Sequence, residues 1–138
     1  MASMSSTLED YLEAIYICQQ KNGVARIKDI SKMLDVKPPT VNAAINRLVS
    51  TKFATHEHYG YIKLTEIGRK AAERVYQRHK TLLRFLVEIL GISESEALIQ
   101  ACGMEHSISC ETREMLGKLT NFFIKNPNIF EKWKKNFP

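Results

Sequence analysis

The apolar positions of this chain fall into helical stripes, interrupted once by a short stretch of β character. Leu8, Leu12, Ile15 and Tyr16 recur at the three-and-four spacing that gathers side chains on one helix face. Ser6 and Glu9 stand at capping-box spacing before that run, and Asn22-Gly23 closes it, so a first helix is predicted over about 6–20. Ile27, Ile30 and Leu34 predict a short second helix over 27–34. Asp35 to Pro38 read as a tight connection. Pro39, whose missing N–H is no loss in a first helical turn, or Thr40 then opens a third helix to about Ser50, with Val41, Ile45 and Leu48 inward.

Between Phe53 and Leu64 the pattern changes. Two β-prone flanks, 53–58 and 61–64, surround Tyr59-Gly60-Tyr61, which predicts a hairpin turning near Gly60. Thr65 is placed to cap a long helix reaching about Leu90, where Gly91 stops it. Ser93 and Glu96 form another capping box, for a helix through about His106, and Ser109 caps a last helix ending near Asn126-Pro127. No internal repeat or low-complexity tract is present. The expected fold is mainly α: a winged helix-turn-helix domain over 1–70, followed by an all-helical domain over 71–138.

Composition adds a few bounds. The 138 residues suffice for one or two small domains, which would bury more apolar surface by dimerising. Twenty Lys and Arg against 15 Asp and Glu give a net charge of +5, which suits a polyanionic partner without requiring one. The three cysteines, Cys18, Cys102 and Cys110, form no even set. No secretory segment precedes the first helix and no run of about 18 apolar residues occurs, so a soluble cytoplasmic protein with reduced thiols and no membrane partner is expected. Met1 to Met4 read as an unstructured start.

Helix, short helix, tight turn, helix and hairpin is the order of a winged helix-turn-helix, whose second motif helix enters the DNA major groove. Here that helix offers Pro39, Thr40, Asn42, Asn46 and Arg47. Asn pairs bidentately with adenine, and a small apolar group such as Pro39 can touch a thymine methyl. Lys28, Lys32, Lys37 and Lys52 are placed for phosphates, contacts that give affinity rather than sequence preference. The wing, near 58–63, is placed for backbone or minor groove. The same element order also serves proteins that make only protein contacts, and residue types alone leave both readings open. His56 and His58 alternate on one strand with no nearby partner, and read as exposed strand residues rather than ligands.

A second constellation is chemical. Asp10 and Glu13, three apart, share a face of the first helix. Cys102, Glu105 and His106 converge on a face of a later helix, and His79 lies on the long helix. Thiolate, carboxylate and imidazole at such spacing suit a transition metal. On spacing alone the alternative also stands: a solvated acidic pair, a buried cysteine beside surface charges and a surface histidine.

The stretch 6–16, Pro39-Thr40-Val41, Leu64-Thr65-Glu66-Ile67-Gly68, His79 and Ala101-Cys102-Gly103-Met104-Glu105-His106 together resemble the diphtheria toxin repressor family, over about 5–126. Cys-x-x-Glu-His followed by Ser109 is the most specific element. The length is similar to that of the manganese transport regulator branch, which lacks the third, SH3-like domain of the iron repressors. The resemblance implies a homodimer that binds palindromic double-stranded operator DNA when loaded with metal and controls metal homeostasis, with 71–138 as metal-binding and dimerisation domain. It implies metal ligands at Asp10, Glu13, His79, Cys102, Glu105 and His106. Cys102 stands where the manganese branch commonly has a carboxylate, and Asp10 where the iron branch has methionine. Leu83 and Leu98 replace the Glu and His of the iron branch's additional site, so that site is expected to be absent. The hybrid ligand set points to Mn2+, then Fe2+, with Zn2+ or Co2+ binding in vitro. Repulsion among Asp10, Glu13 and Glu105 is expected to oppose the active geometry until metal binds, and metal then selects the arrangement of reading heads that matches the half-sites.

Dimer contacts are expected from two apolar faces, Phe85, Leu86, Ile89 and Leu90, and Met115, Leu116, Leu119, Phe122 and Phe123, some of which must be core. The tail over 128–138 carries Trp133 amid lysines and has no functional reading. Two rival readings remain. One is a metal-independent winged-helix regulator. The other is a thiol- or metal-dependent enzyme using Cys102 and His106, for which no Gly-rich loop or nucleophile elbow is present.

Overall fold

The computed structural model describes residues 4–57 and 60–136, so Met1 to Ser3 of the expected unstructured start, the turn residues His58 and Tyr59 and the end of the tail lie outside the described residues; Met4, its last residue, is partly buried against the core of the first unit instead. The chain forms two compact units, Met1–Tyr76 and Gln77–Pro138.

In the first unit, α1 spans Ser6–Asn22. Its N-cap is Ser5, not Ser6: the Ser5 hydroxyl accepts from the Leu8 N–H at 3.3 Å. Three consecutive small polar residues precede the stripe, and the extended backbone that a cap needs falls one residue earlier. Gly23 closes the helix at φ 78, as expected of a left-handed cap. The two-residue strand β1 (Ala25–Arg26) leads into α2 (Ile27–Leu34), which has the predicted bounds. Asp35, at φ 53, turns the chain. Then α3 (Pro38–Ser50) starts one residue before the expected Pro39, because both prolines fit the first turn behind Lys37 as N-cap.

The strands β2 (Ala54–His56) and β3 (Tyr61–Leu64) make the expected hairpin, with Gly60 at φ 82. The sheet order is β1-β3-β2, all antiparallel. β1 was not expected, because two residues carry no alternation; it exists by pairing Ala25 with Ile62 and Arg26 with Tyr61. Leu12, Ile15, Ile30, Val41, Ile45, Leu48 and Ile62 are fully buried in one core. Each such side chain contributes about 1.5–3 kcal/mol of transfer free energy.

The long helix α4 (Glu66–Arg84) begins in this unit and crosses into the second. Thr65 caps it: its hydroxyl accepts from Gly68 N–H at 3.1 Å and donates to the Lys52 carbonyl at 2.7 Å. Gly68 has no room for a side chain, since a Cβ there would meet the Phe53 carbonyl oxygen at 1.8 Å.

In the second unit, α geometry ends at Arg84 and a π turn (Phe85–Ile89) follows, rather than an unbroken helix to Leu90; Gly91 then stops the chain at φ 71. One π turn displaces an apolar stripe by about one residue, too little to register in a stripe this short. Ser93 and Ser109 cap α5 (Glu94–Glu105) and α6 (Cys110–Lys125) as predicted. Leu82, Leu86, Ala97 and Ala101 form the buried core, with Met104, Ile108 and Leu116 packed on it. An unpredicted helix, α7 (Pro127–Lys135), follows. Its Phe130 and Trp133 rings pack on Phe123 of α6, at centroid distances of 5.3 and 5.5 Å.

Candidate metal centre and DNA-reading surface

Glu105 is the last residue of α5, and its side chain is only 1% exposed. Its two carboxylate oxygens face two different imidazoles. Oε2 lies 3.1 Å from Nδ1 of His79, on α4, and Oε1 lies 3.2 Å from Nε2 of His106. Cys102 stands one turn before Glu105 on α5, exposed, with its sulfur within 4.8 Å of the Glu105 carboxylate. The second unit thus brings together four of the six expected ligands: His79, Cys102, Glu105 and His106. A carboxylate this buried is costly unless cations or hydrogen-bond donors surround it. One carboxylate, two imidazoles and a thiol form a donor set that fits a divalent transition metal.

The remaining two expected ligands, Asp10 and Glu13, belong to the first unit. They are half-buried and one turn apart on α1. Burial, and after it the charge of Asp10, hold the phenol pKa of the neighbouring Tyr11 above its ordinary value.

The helix-turn-helix of the first unit carries the residues expected to face DNA. One side of α3 is closed into the core by Val41, Ala44, Ile45 and Leu48. The other side exposes Pro39, Thr40, Asn42, Asn46 and Arg47, and Lys28, Lys32, Lys37 and Lys52 are exposed around it. All the residues expected to face DNA therefore point to solvent on the first unit. His56 is also exposed and, among the described residues, joins no group with metal-ligand spacing.

Two family models match the chain. The family model described as iron dependent repressor, N-terminal DNA binding domain, matches residues 3–62. That of the iron dependent repressor, metal binding and dimerisation domain, matches residues 65–134. An uncharacterized HTH-type transcriptional regulator of Methanocaldococcus jannaschii is 38% identical over 114 residues, 82% of this chain and 91% of its own length. The HTH-type transcriptional regulator MntR of Geobacillus kaustophilus is 34% identical over 125 residues, 91% of this chain and 88% of its own. A manganese-dependent transcriptional repressor, solved in complex with manganese, superposes with a TM-score of 0.76 at 28% identity, over 83% of this chain. The chain spans 53% of that solved chain's length.

The chain belongs to the iron-dependent repressor family, the diphtheria toxin repressor class of metal-dependent transcriptional regulators. The matched families and relatives are regulators rather than enzymes, which sets aside the enzymatic reading of Cys102 and His106. Among the described residues no helix is long and apolar enough to cross a membrane.

Proposed function

We propose that this chain is a cytoplasmic repressor that binds palindromic operator DNA as a homodimer when loaded with Mn2+ or Fe2+, and so controls genes of metal uptake. The observation that carries the reading is the buried Glu105 carboxylate between His79 and His106, in a domain whose family is described as metal binding. In this reading Asp10 and Glu13 complete the ligand set with His79, Cys102, Glu105 and His106. The bound divalent ion supplies the positive charge that lets three carboxylates share one site. His79 and His106 would hold the ion through ring nitrogens and Cys102 through its sulfur as a thiolate, so that loading would release protons. The buried side of α1 packs on α2 and α3. Ligation through Asp10 and Glu13 therefore acts on the element that seats the reading helix, and only the reading geometry that pairs with DNA gains from it.

On α3, Thr40, Asn42 and Pro39 read bases, while Lys28, Lys37, Asn46 and Arg47 hold the backbone. For the homodimer, Leu86 and Ile89 are buried in their own subunit, which leaves the exposed stripe Met115, Leu119 and Phe122 on α6, together with Leu90, as the apolar contact face. Residues at i, i+4 and i+7 share one helix face, as such a seam requires.

The test is electrophoretic mobility shift with duplexes enriched from a random-sequence pool by the Mn2+-loaded protein, under anaerobic conditions. Tight binding with Mn2+ or Fe2+ and its loss in chelator are expected. Equal affinity in both overturns the reading in favour of a metal-independent regulator.

A further inference from the structure

Tyr16 of α1 and Tyr76 of α4 meet inside the first unit, with ring centroids 5.2 Å apart and planes inclined by 51°. Both side chains are partly buried. Each ring stands one helical turn from a residue of the proposed ligand set on its own helix: Glu13 comes just before Tyr16, and His79 just after Tyr76. Residues three or four apart share a helix face. Glu13 and Tyr16 therefore stand in one row on α1, and Ala72, Tyr76 and His79 in one row on α4, which is unbroken α-helix over Glu66–Arg84.

The start of α4 is held firmly, where Thr65 donates to the Lys52 carbonyl and Gly68 closes on Phe53. His79 lies about 20 Å further along the helix, at 1.5 Å per residue, so a tilt of about 3° at that start moves it by about 1 Å. Metal ligation tolerates only about 0.2 Å. The α4 side chains within the first core are Ala71 and Ala72, whose single methyl groups allow close approach but give little grip. Tyr76 adds a large contact with α1 one turn before His79. We propose that Tyr16 and Tyr76 are positioning residues for the metal centre: their ring contact fixes how α4 lies on α1, and with it where Glu13 and His79 present oxygen and nitrogen to a divalent ion. Neither ring is a ligand. A ring pair suits this task, because each tyrosine has only two side-chain torsions and paired rings prefer a few defined tilts. The inference rests on the ligand set of the metal-dependent reading.

The experiment measures Mn2+ affinity of the full chain by competition with a chelator, and records the Mn2+ electron paramagnetic resonance spectrum at saturation. Tyr16→Ala and Tyr76→Ala should each weaken Mn2+ binding by about 10–100-fold, the range for losing a group that orients a ligand. Each should also change the spectrum, which reports the arrangement of ligands around the ion. Tyr76→Phe keeps the ring and should keep both affinity and spectrum. The double alanine variant should lose no more than the larger single loss, because both changes remove one contact. Thermal unfolding in chelator accompanies every variant; if Tyr76→Ala does not fold, Tyr76→Leu, which keeps bulk without the ring, is expected to show the same loss. Alanine variants with parental affinity or a parental spectrum, losses that multiply in the double variant, or a Tyr76→Phe as weak as Tyr76→Ala each overturn the positioning role while the metal centre stands. A parent protein that binds Mn2+ no more tightly than its Glu105→Gln variant overturns the metal-binding reading itself.

Discussion

His79 and Glu105 lie 26 residues apart in the chain, on different helices, yet the imidazole Nδ1 and the carboxylate Oε2 meet at 3.1 Å, with the carboxylate almost wholly shielded from solvent. Removing the charge of Glu105 should abolish the centre rather than loosen it. Glu105→Gln is expected to weaken Mn2+ affinity by more than the roughly 10–100-fold that losing an outer-shell partner costs. Competition titration with a chelator measures this. Affinity within tenfold of the parent would remove Glu105 from the ligand set.

Cys102 offers a different test. It sits beside Glu105 but is exposed, and as a ligand it would bring a soft sulfur to an otherwise oxygen and nitrogen donor set. Cys102→Glu should raise Mn2+ affinity relative to Zn2+ and Fe2+, since carboxylates suit harder ions. It should also remove inhibition of DNA binding by peroxide, because no thiolate at the site remains to be oxidised. An unchanged metal ranking together with an unchanged peroxide response would show that Cys102 is not a ligand.

Gly68 and Gly103 should respond oppositely to alanine. The carbonyl of Phe53 stands where a Gly68 Cβ would go, and it is backbone that cannot swing aside, whereas nothing lies within 4 Å of the Gly103 position. Gly68→Ala should therefore destabilise the protein by about 3 kcal/mol or more, as severe overpacking does. Gly103→Ala, inside α5, should stabilise it by about 0.5–1 kcal/mol. Urea titration of both variants checks the sign of each effect.

Alkaline pH should weaken the first unit. Burial, reinforced by Asp29, holds the Cys18 thiol above its ordinary pKa of 9.0, and burial also raises the Tyr11 phenol above 10.0. Groups whose folded pKa is raised contribute fully below the unfolded pKa, and the contribution is lost as pH rises through the folded one. Stability should thus fall as pH rises from about 8.5. Cys18→Ala should flatten the first part of that decline, at the cost of a small cavity. A decline identical to the parent's would show that Cys18 does not drive it.

The helices that frame both sites were legible in the sequence because their signals are local. An apolar stripe, a serine cap and a stopping glycine act within a few residues, so α2 and the caps of α5 and α6 emerged with their bounds. Paired residues on one helix, Asp10 with Glu13 and Cys102 with Glu105, were equally visible, since 3.6 residues per turn alone sets their common face. What only the tertiary structure decided involves partners distant in the chain. Burial of Glu105 between two imidazoles depends on α4 meeting the end of α5. β1 and the Arg26–Tyr61 pair exist because a strand 35 residues later supplies their hydrogen bonds and ring. α7 is held by rings of α6, and a nine-residue helix is too short to persist on its own propensity. Local signals choose the elements; contacts between distant residues decide which donors and cations end up on the same face.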